Sequence, residues 1–248
     1  PYYCMTPECK SQQGLVISHR NQHVQDMFES AGFRIELEYT LENRSYDMLL
    51  LGTNILVEID PSYTHTVIGN HWGKRIDYNY HIEKSKLAKK HGYRCIHIFD
   101  WDDIGKLIHI LKPKEKIYAR NCDVEVIDAQ DANQFLIKYH IQGTVSRQKI
   151  LLGLKYENEL VQLMTFGKSR YTSRYEYELL RLCSGEFAVV GGSQKLFHHF
   201  IQSYNPQSIV SYCDISKFNG DVYNKLNMKL DHYSSPAKIW SKYSNKIT

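Results

Sequence analysis

Two short apolar stretches, Tyr46-Asp47-Met48-Leu49-Leu50-Leu51 and Ile55-Leu56-Val57-Glu58-Ile59-Asp60, decide the predicted fold of the first half of the chain. Each has the length and the content of large apolar residues that are typical of a strand, and Gly52-Thr53-Asn54 between them is typical of a turn. A β-hairpin or meander is therefore predicted here. Three acids interrupt these strands where apolar residues would be expected, namely Asp47, Glu58 and Asp60.

The three acids predict a metal site. Strand alternation places Glu58 and Asp60 on the same face, and pairing through the turn brings Asp47 near them. Carboxylates in an apolar setting repel one another and lose solvation, and a divalent cation relieves both effects. Because hard cations take oxygen ligands, we expect Mg²⁺, or Mn²⁺ in its place, bound by these three acids. The alternative is that the acids face solvent on an edge strand.

Further candidate residues follow the second strand. His65 stands five residues after Asp60 in a segment, 61–79, that lacks periodicity and is predicted to be a loop. A neutral imidazole at this position could take a proton from an attacking water. Asp77 lies further along this loop, and Lys84 and Lys86 lie on a helix predicted from Tyr80 to His91. These residues are expected to order the loop or to contact phosphate.

The remaining pattern predicts two domains after an N-terminal segment. Residues 1–22 are polar and irregular, and residues 23–112 combine helices and strands in an α/β unit with a mixed sheet. The charged, proline-containing stretch 112–116 is the predicted boundary. Residues 117–248 form a second, α+β unit, with a predicted hairpin near 150–166 and a helix that opens at Gly191-Gly192 after a strand.

The acids, His65 and the string Gly92-Tyr93-Arg94-Cys95-Ile96-His97-Ile98 together resemble the PD-(D/E)xK nuclease superfamily. The closer likeness is to its EDxHD branch, the phage-type homing endonucleases related to very-short-patch repair endonucleases, and it covers about residues 20–111. The resemblance implies a restriction-endonuclease-like domain that cleaves DNA, with Asp47 on the metal and His65 as general base; Asp77 is a further catalytic candidate. One departure is that Asp60 stands where the superfamily motif has lysine.

Residues 117–242 are similar to the acyl-CoA N-acyltransferase (GNAT) fold. The likeness rests on the hairpin near 150–166, on Gly191-Gly192 and on the segment 221–226 before a final strand. The fuller acyltransferase signature of alternating Gln/Arg and Gly is absent, so we expect the fold without its activity. Between two of the predicted strands, cations alternate with aromatic residues and are expected to contact DNA unless the loop is merely solvated; they are Lys168, Arg170, Tyr171 and Arg174.

The N-terminal segment contains a set of metal-ligand residues. Cys4 and Cys9 are followed by His19 and His23, which could hold one Zn²⁺ or represent the remnant of a zinc ribbon. Two free cysteines in a loose N-terminus are the alternative.

The composition limits the classes of function that the chain can have. An apolar fraction of 42% excludes a disordered chain, and a net charge of +4 with a pI near 8.6 permits nucleic-acid binding. There is no apolar run of transmembrane length and no signal peptide, and the other cysteines stand singly in apolar stretches, so a reduced, cytoplasmic protein is expected.

Three functions follow from these features. The first is a magnesium-dependent DNA endonuclease acting on double-stranded DNA, with a homodimer expected if both strands are cut. The second is a DNA-modifying acyltransferase-like protein, and the third is a DNA-binding protein without catalysis.

Overall fold

The computed structural model describes residues 19–61, 79–235, 240–242 and 245–247. The fold is mixed α/β with mixed sheets and divides into two compact units, Pro1–Asp100 and Trp101–Thr248. This boundary precedes the predicted stretch 112–116. The helix at Ile104–Leu111, which the sequence placed in the first unit, lies in the second because it packs on the helix Ala129–Tyr139.

The first unit is a four-stranded sheet with helices. Its elements are α1 (His19–Ser30), β1 (Ile35–Leu41), β2 (Arg44–Leu50), β3 (Ile55–Asp60), α2 (Tyr80–Lys90) and β4 (Arg94–Phe99). The strand order is β1-β2-β3-β4; β1, β2 and β3 form an antiparallel meander, and β4 runs parallel to β3. The predicted meander is therefore confirmed, and the β3–α2–β4 crossover brings β4 beside the acids of β3.

The helix α2 is held against this sheet by apolar packing and by polar contacts, among them a buried hydrogen bond. Ala88 of α2 belongs to a buried cluster that includes Leu56, Cys95 and Tyr46. The fully buried Tyr46 donates its hydroxyl to the carbonyl of Lys84 over 2.8 Å. This contact fixes the height of the Lys84 backbone above the sheet, which matters for the site described below.

The second unit contains a longer sheet and its covering helices. Its elements are α3 (Ile104–Leu111), β5 (Lys116–Tyr118), a 3₁₀ turn (Ala119–Asn121), β6 (Asp123–Val126), α4 (Ala129–Tyr139), β7 (Gln148–Tyr156), β8 (Glu159–Lys168), β9 (Tyr177–Ser184), β10 (Ala188–Val190), α5 (Gly192–Tyr204), β11 (Ile209–Ser211), α6 (Asp221–Lys225), β12 (Trp240–Lys242) and β13 (Asn245–Ile247). The strand order of the large sheet is β11-β9-β8-β7-β6, antiparallel except for the parallel β9–β11 pair. The short strands β5 and β10 pair in parallel, and β12 pairs antiparallel with β13.

Apolar side chains pack on both faces of this sheet. On one face, Phe166 of β8 stacks on Phe200 of α5 with ring centroids 3.6 Å apart. On the other face, Leu163 of the same strand belongs to a cluster with Phe135 and Leu136 of α4. Among the described helices, none has the length and apolar character needed to cross a lipid bilayer.

Candidate functional site

The three acids of the hairpin each have a separate partner. Asp47 Oδ2 accepts a hydrogen bond from the amide of Ile59 at 2.6 Å. The Lys84 ammonium lies 2.5 Å from Glu58 Oε1. Asp60 Oδ2 lies 2.7 Å from Nδ1 of His97. The charge repulsion that the sequence implied is therefore relieved by an amide, an ammonium and an imidazole.

Asp47, Glu58 and Asp60 were expected to bind one metal ion together. The structure brings a different set of residues close together. Within the part of the chain that the structure describes, the residues whose ligand atoms all lie within 4.8 Å of one another are Asp60, His81 and His97. Asp47 and Glu58 lie outside this group. The physical reason is that Asp60 turns its two oxygens to the two imidazoles, Oδ2 to His97 and Oδ1 to His81 at 3.5 Å.

Asp47 lies where the β2–β3 ladder ends. The register runs from Leu50–Ile55 to Met48–Val57, and beyond it the Asp47 carboxylate bonds the amide of Ile59. Burial raises the pKa of Asp47, and the Ile59 amide opposes that shift by stabilising the anion. The carboxylate is thus held beside the backbone of β3, close enough to Glu58 to disfavour the charge of that residue and so to raise its pKa.

Glu58 and Lys84 form a buried ion pair, with 6% and 4% of each residue exposed. Burial raises the pKa of Glu58 to about 8, although the Lys84 ammonium opposes the shift. Burial also disfavours the ammonium, but the Glu58 carboxylate outweighs it, so the pKa of Lys84 is raised. The raised pKa of Glu58 favours its neutral form, whereas the raised pKa of Lys84 favours its charged form. The ammonium, which also lies 4.9 Å from the centre of the Tyr46 ring, keeps its charge, and the Glu58 carboxyl is the group whose protonation changes near neutrality.

His97 completes a chain of polar contacts across the sheet. It pairs with Glu58 in the parallel β3–β4 register and is 2% exposed. Its Nδ1 faces Asp60, and its Nε2 lies 2.9 Å from the hydroxyl of Ser85 on α2. The His81 ring meets the His97 ring edge to face at 5.1 Å. Both nitrogens of His97 are therefore engaged, so the orientation of the ring is fixed from both sides.

Several residues predicted from the sequence lie outside the described residues. They are Cys4, Cys9, His65 and Asp77. The general-base role of His65 and the zinc ligand set with His19 and His23 stay predictions. His19 and His23 both belong to α1.

The residues expected to contact DNA differ in their exposure. Lys86 is exposed on α2, as a phosphate contact requires, whereas Lys84 is buried against Glu58 and belongs to the site itself. In the second unit Lys168 and Arg174 are exposed, and Tyr171 is 72% exposed.

Arg170, from the same group, is committed to an internal partner. Its side chain donates two hydrogen bonds to Oε1 of the buried Glu178, and its amide donates to Oε2. Its guanidinium therefore stabilises the unit rather than standing free in solvent.

Three residues of this arrangement were not among the site residues predicted from the sequence, namely His81, Ser85 and His97. One signal was present, because His97 interrupts the apolar strand Cys95-Ile96-His97-Ile98 as the acids interrupt theirs. A strand–helix–strand pattern predicts that the second strand pairs in parallel with the first, which would have placed His97 beside Glu58. The partner atoms on α2 could not be assigned in this way.

Comparison of the chain with protein-family models, with curated proteins and with solved structures finds no match. The functional interpretation therefore depends on the geometry of the acids, the buried lysine and the imidazoles.

Proposed function

We propose that the chain is a metal-dependent DNA endonuclease. The observation that carries the proposal is the buried contact between Glu58 and the Lys84 ammonium, with the Asp47 carboxylate on the neighbouring strand. Two carboxylates beside an ammonium provide, in one place, groups that can bind a cation and a fixed positive charge for a phosphodiester. Such preorganised charges account for much of the rate enhancement in phosphoryl chemistry.

Lys84 accounts for the departure from the PD-(D/E)xK pattern. In that pattern a lysine occupies the position of Asp60, on the same strand as the acid. Here α2 places an ammonium 2.5 Å from Glu58 instead, and the Tyr46 hydroxyl holds the lysine's own carbonyl. The resemblance thus gains support from a residue that comes from a different element but supplies the same charge.

Asp47 and Glu58 fit a magnesium ion better than Asp60 does. Glu58 Oε1 is buried and has no aligned hydrogen bond, despite its contact with the ammonium. Asp47 commits Oδ2 to a backbone amide, whereas Asp60 faces imidazoles with both oxygens. Mg²⁺ typically takes one or two carboxylates and fills its shell with waters and phosphate oxygens. When bound, it would stabilise negative charge on the phosphate and acidify a water.

The surface beside the site suits a nucleic-acid backbone. The helix α2 carries the exposed Lys86 and Lys89 in addition to the buried Lys84. Lysines on a helix next to the acids can neutralise phosphates and hold DNA against the site, in a way that does not depend on base sequence. Double-stranded DNA is therefore the substrate we propose.

Replacing Asp47 with Asn should lower the rate of DNA cleavage by about 10²–10³-fold, the usual loss when one preorganised electrostatic group is removed. The amide keeps the shape and can still accept the Ile59 hydrogen bond, but it cannot offer an anionic ligand. The measurement is conversion of supercoiled plasmid to nicked or linear forms in Mg²⁺, with a chelator as blank. Glu36→Gln, which removes an exposed charge from β1 of the same sheet, is the matched control and should cleave at the parental rate.

Cleavage by Asp47→Asn at the parental rate would overturn the assignment of this residue. A parent chain that binds plasmid but leaves it intact in Mg²⁺ and in Mn²⁺ would favour a DNA-binding protein without catalysis.

A second candidate function resides in the second unit. The strand order β11-β9-β8-β7-β6, with a helix between β9 and its parallel neighbour β11, supports the proposed GNAT-like arrangement. A cavity of about 450 Å³ lies along β9 and the segments 211–214 and 218–223. Its lining is part polar and part apolar, and its volume is within the range of small-molecule sites.

Acyl-CoA binding would distinguish this candidate from the nuclease. Titration of the full chain with acetyl-CoA in a calorimeter should give no measurable heat if the fold has no acyltransferase role, which is the outcome we expect. Saturable heat with about one molecule per chain would favour the second function and would leave the cleavage test unaffected.

A further inference from the structure

We propose that Asp60, His81 and His97 bind one first-row transition-metal ion, for which Zn²⁺ is the best match. This site is separate from the acids Asp47 and Glu58, and its existence does not depend on DNA cleavage. Two imidazoles and one carboxylate are a ligand set that zinc and its neighbours take, whereas Mg²⁺ is bound almost wholly by oxygen.

The spacing of the ligand atoms fits a single ion. Bonds from zinc to nitrogen or oxygen are about 2.0–2.2 Å, so two donors on one ion are separated by at most about 4.4 Å. The donor atoms of these three residues already lie within 4.8 Å of one another. Asp60 Oδ2 and His97 Nδ1 are 2.7 Å apart, and Asp60 Oδ1 and His81 Nδ1 are 3.5 Å apart. A small rotation of side chains is enough to close the site around an ion.

The surroundings of His97 match those of a metal ligand. A metal-bound histidine usually donates its second ring nitrogen to a neighbouring acceptor, which fixes the tautomer and the ring plane. The Ser85 hydroxyl lies 2.9 Å from Nε2 of His97 and can accept that hydrogen bond. In this tautomer Nδ1 has no proton and presents a lone pair towards the Asp60 carboxylate, 2.7 Å away, and a cation shared by the two atoms would satisfy both of them.

The exposure of the three residues suits an ion that is bound mainly by buried groups and can enter from solvent. Asp60 and His97 are each 2% exposed, whereas the side chain of His81 is 30% exposed. The simpler interpretation is a hydrogen bond between Asp60 and His97 that satisfies a buried pair. That hydrogen bond does not explain why the His81 imidazole faces the other oxygen of the same carboxylate. An ion shared by the three residues does explain it.

Such an ion would also position the helix α2. His81 and Lys84 are three residues apart on α2 and therefore lie on the same face. An ion that joins His81 to β3 and β4 fixes the first turn of the helix, and the next turn then presents Lys84 to Glu58. This consequence for cleavage rests on the proposed function, but the binding of the ion does not.

The test is direct titration of metal into the full chain. The variant Cys4→Ser/Cys9→Ser serves as the background, because it removes the cysteines of the predicted N-terminal zinc set. After treatment with a chelator and dialysis, we expect it to bind about one Zn²⁺ per chain by calorimetry, and Co²⁺ to give the absorption bands of a low-symmetry site. In this background, His81→Ala should weaken binding at least about tenfold, since loss of even an indirect supporting group typically costs about 10–100-fold.

His91→Ala is the matched control. His91 lies just beyond the other end of α2, where it bonds the exposed Glu42, so its loss should leave stoichiometry and affinity unchanged. Circular dichroism of each variant without metal shows whether the fold is retained. Absence of Zn²⁺ binding by the background protein, or equal affinity in folded His81→Ala, overturns the proposal. Metal binding without plasmid cleavage would support this site and would contradict the nuclease function alone.

Discussion

Replacing Lys84 with Met should lower the rate of DNA cleavage by about 10²–10³-fold and the free energy of unfolding by about 3–5 kcal/mol. The methionine retains the apolar stem but removes the ammonium that lies 2.5 Å from Glu58 Oε1. Because the pKa of Glu58 is about 8, this 6% exposed carboxyl is charged above that pH and would then be buried without a cation. The measurements are plasmid cleavage in Mg²⁺ and urea unfolding above that pH, followed by circular dichroism.

A double variant separates the two effects. In Lys84→Met/Glu58→Gln the buried pair is neutral, and replacement of a whole buried ion pair is often close to neutral for stability. Most of the lost unfolding free energy should therefore return, while cleavage stays at least as slow as in Lys84→Met because both functional groups are gone. Lys86→Met, on the exposed side of the same helix, should change stability by less than about 0.5 kcal/mol. Parental stability and parental cleavage in Lys84→Met would show that the contact with Glu58 has neither role.

The hairpin and its acids could be predicted because their signals are local. Apolar runs of strand length on both sides of Gly52-Thr53-Asn54 define two strands, and the acids stand out against them. Local patterns also predicted a helix from Tyr80 to His91, and the structure has this helix at Tyr80–Lys90. Local patterns could not predict that the β2–β3 ladder ends at Met48–Val57, and this end decides where the Asp47 carboxylate lies.

The partners of the acids depend on tertiary structure and could not be predicted in the same way. A carboxylate on an apolar strand needs positive charge or donors, but the sequence does not say whether an ion, an ammonium or an imidazole provides them. Lys84 was expected to order the loop or to contact phosphate, and not to be a buried partner of Glu58. Its burial depends on the direction in which the crossover turns the helix, and on the Tyr46 hydroxyl that holds its carbonyl.

The same difficulty applies to the basic loop of the second unit. Alternating cations and aromatic residues after β8 indicated a surface for DNA, and Lys168 and Arg174 are indeed exposed. Arg170 has the same residue type and a similar sequence environment, yet it pairs with Glu178, which has 0% exposure. Only the register of β8 against β9, which sets Gly167 opposite Glu178, brings the two side chains together.

Replacing Arg170 with Met should therefore destabilise the chain by about 3–5 kcal/mol. It leaves the Glu178 carboxylate buried with, among the described residues, the amide of residue 170 as its hydrogen-bond donor. Arg174→Met, in the same loop and exposed, should change the unfolding free energy by less than about 0.5 kcal/mol. Addition of Glu178→Gln to Arg170→Met should recover much of the loss, since no buried charge then remains. Urea unfolding of the three variants measures these differences.

DNA binding by the same variants distinguishes a structural arginine from a phosphate contact. A contact with phosphate contributes about one unit to the slope of log affinity against log salt, so its removal lowers that slope. At temperatures where Arg170→Met remains folded, we expect the slope to equal the parental value, because the guanidinium is engaged by Glu178 and not by solvent. Unchanged stability in Arg170→Met together with a reduced salt slope would reverse this assignment. It would mean that the guanidinium leaves Glu178 to bind DNA, and that Glu178 is tolerated without it.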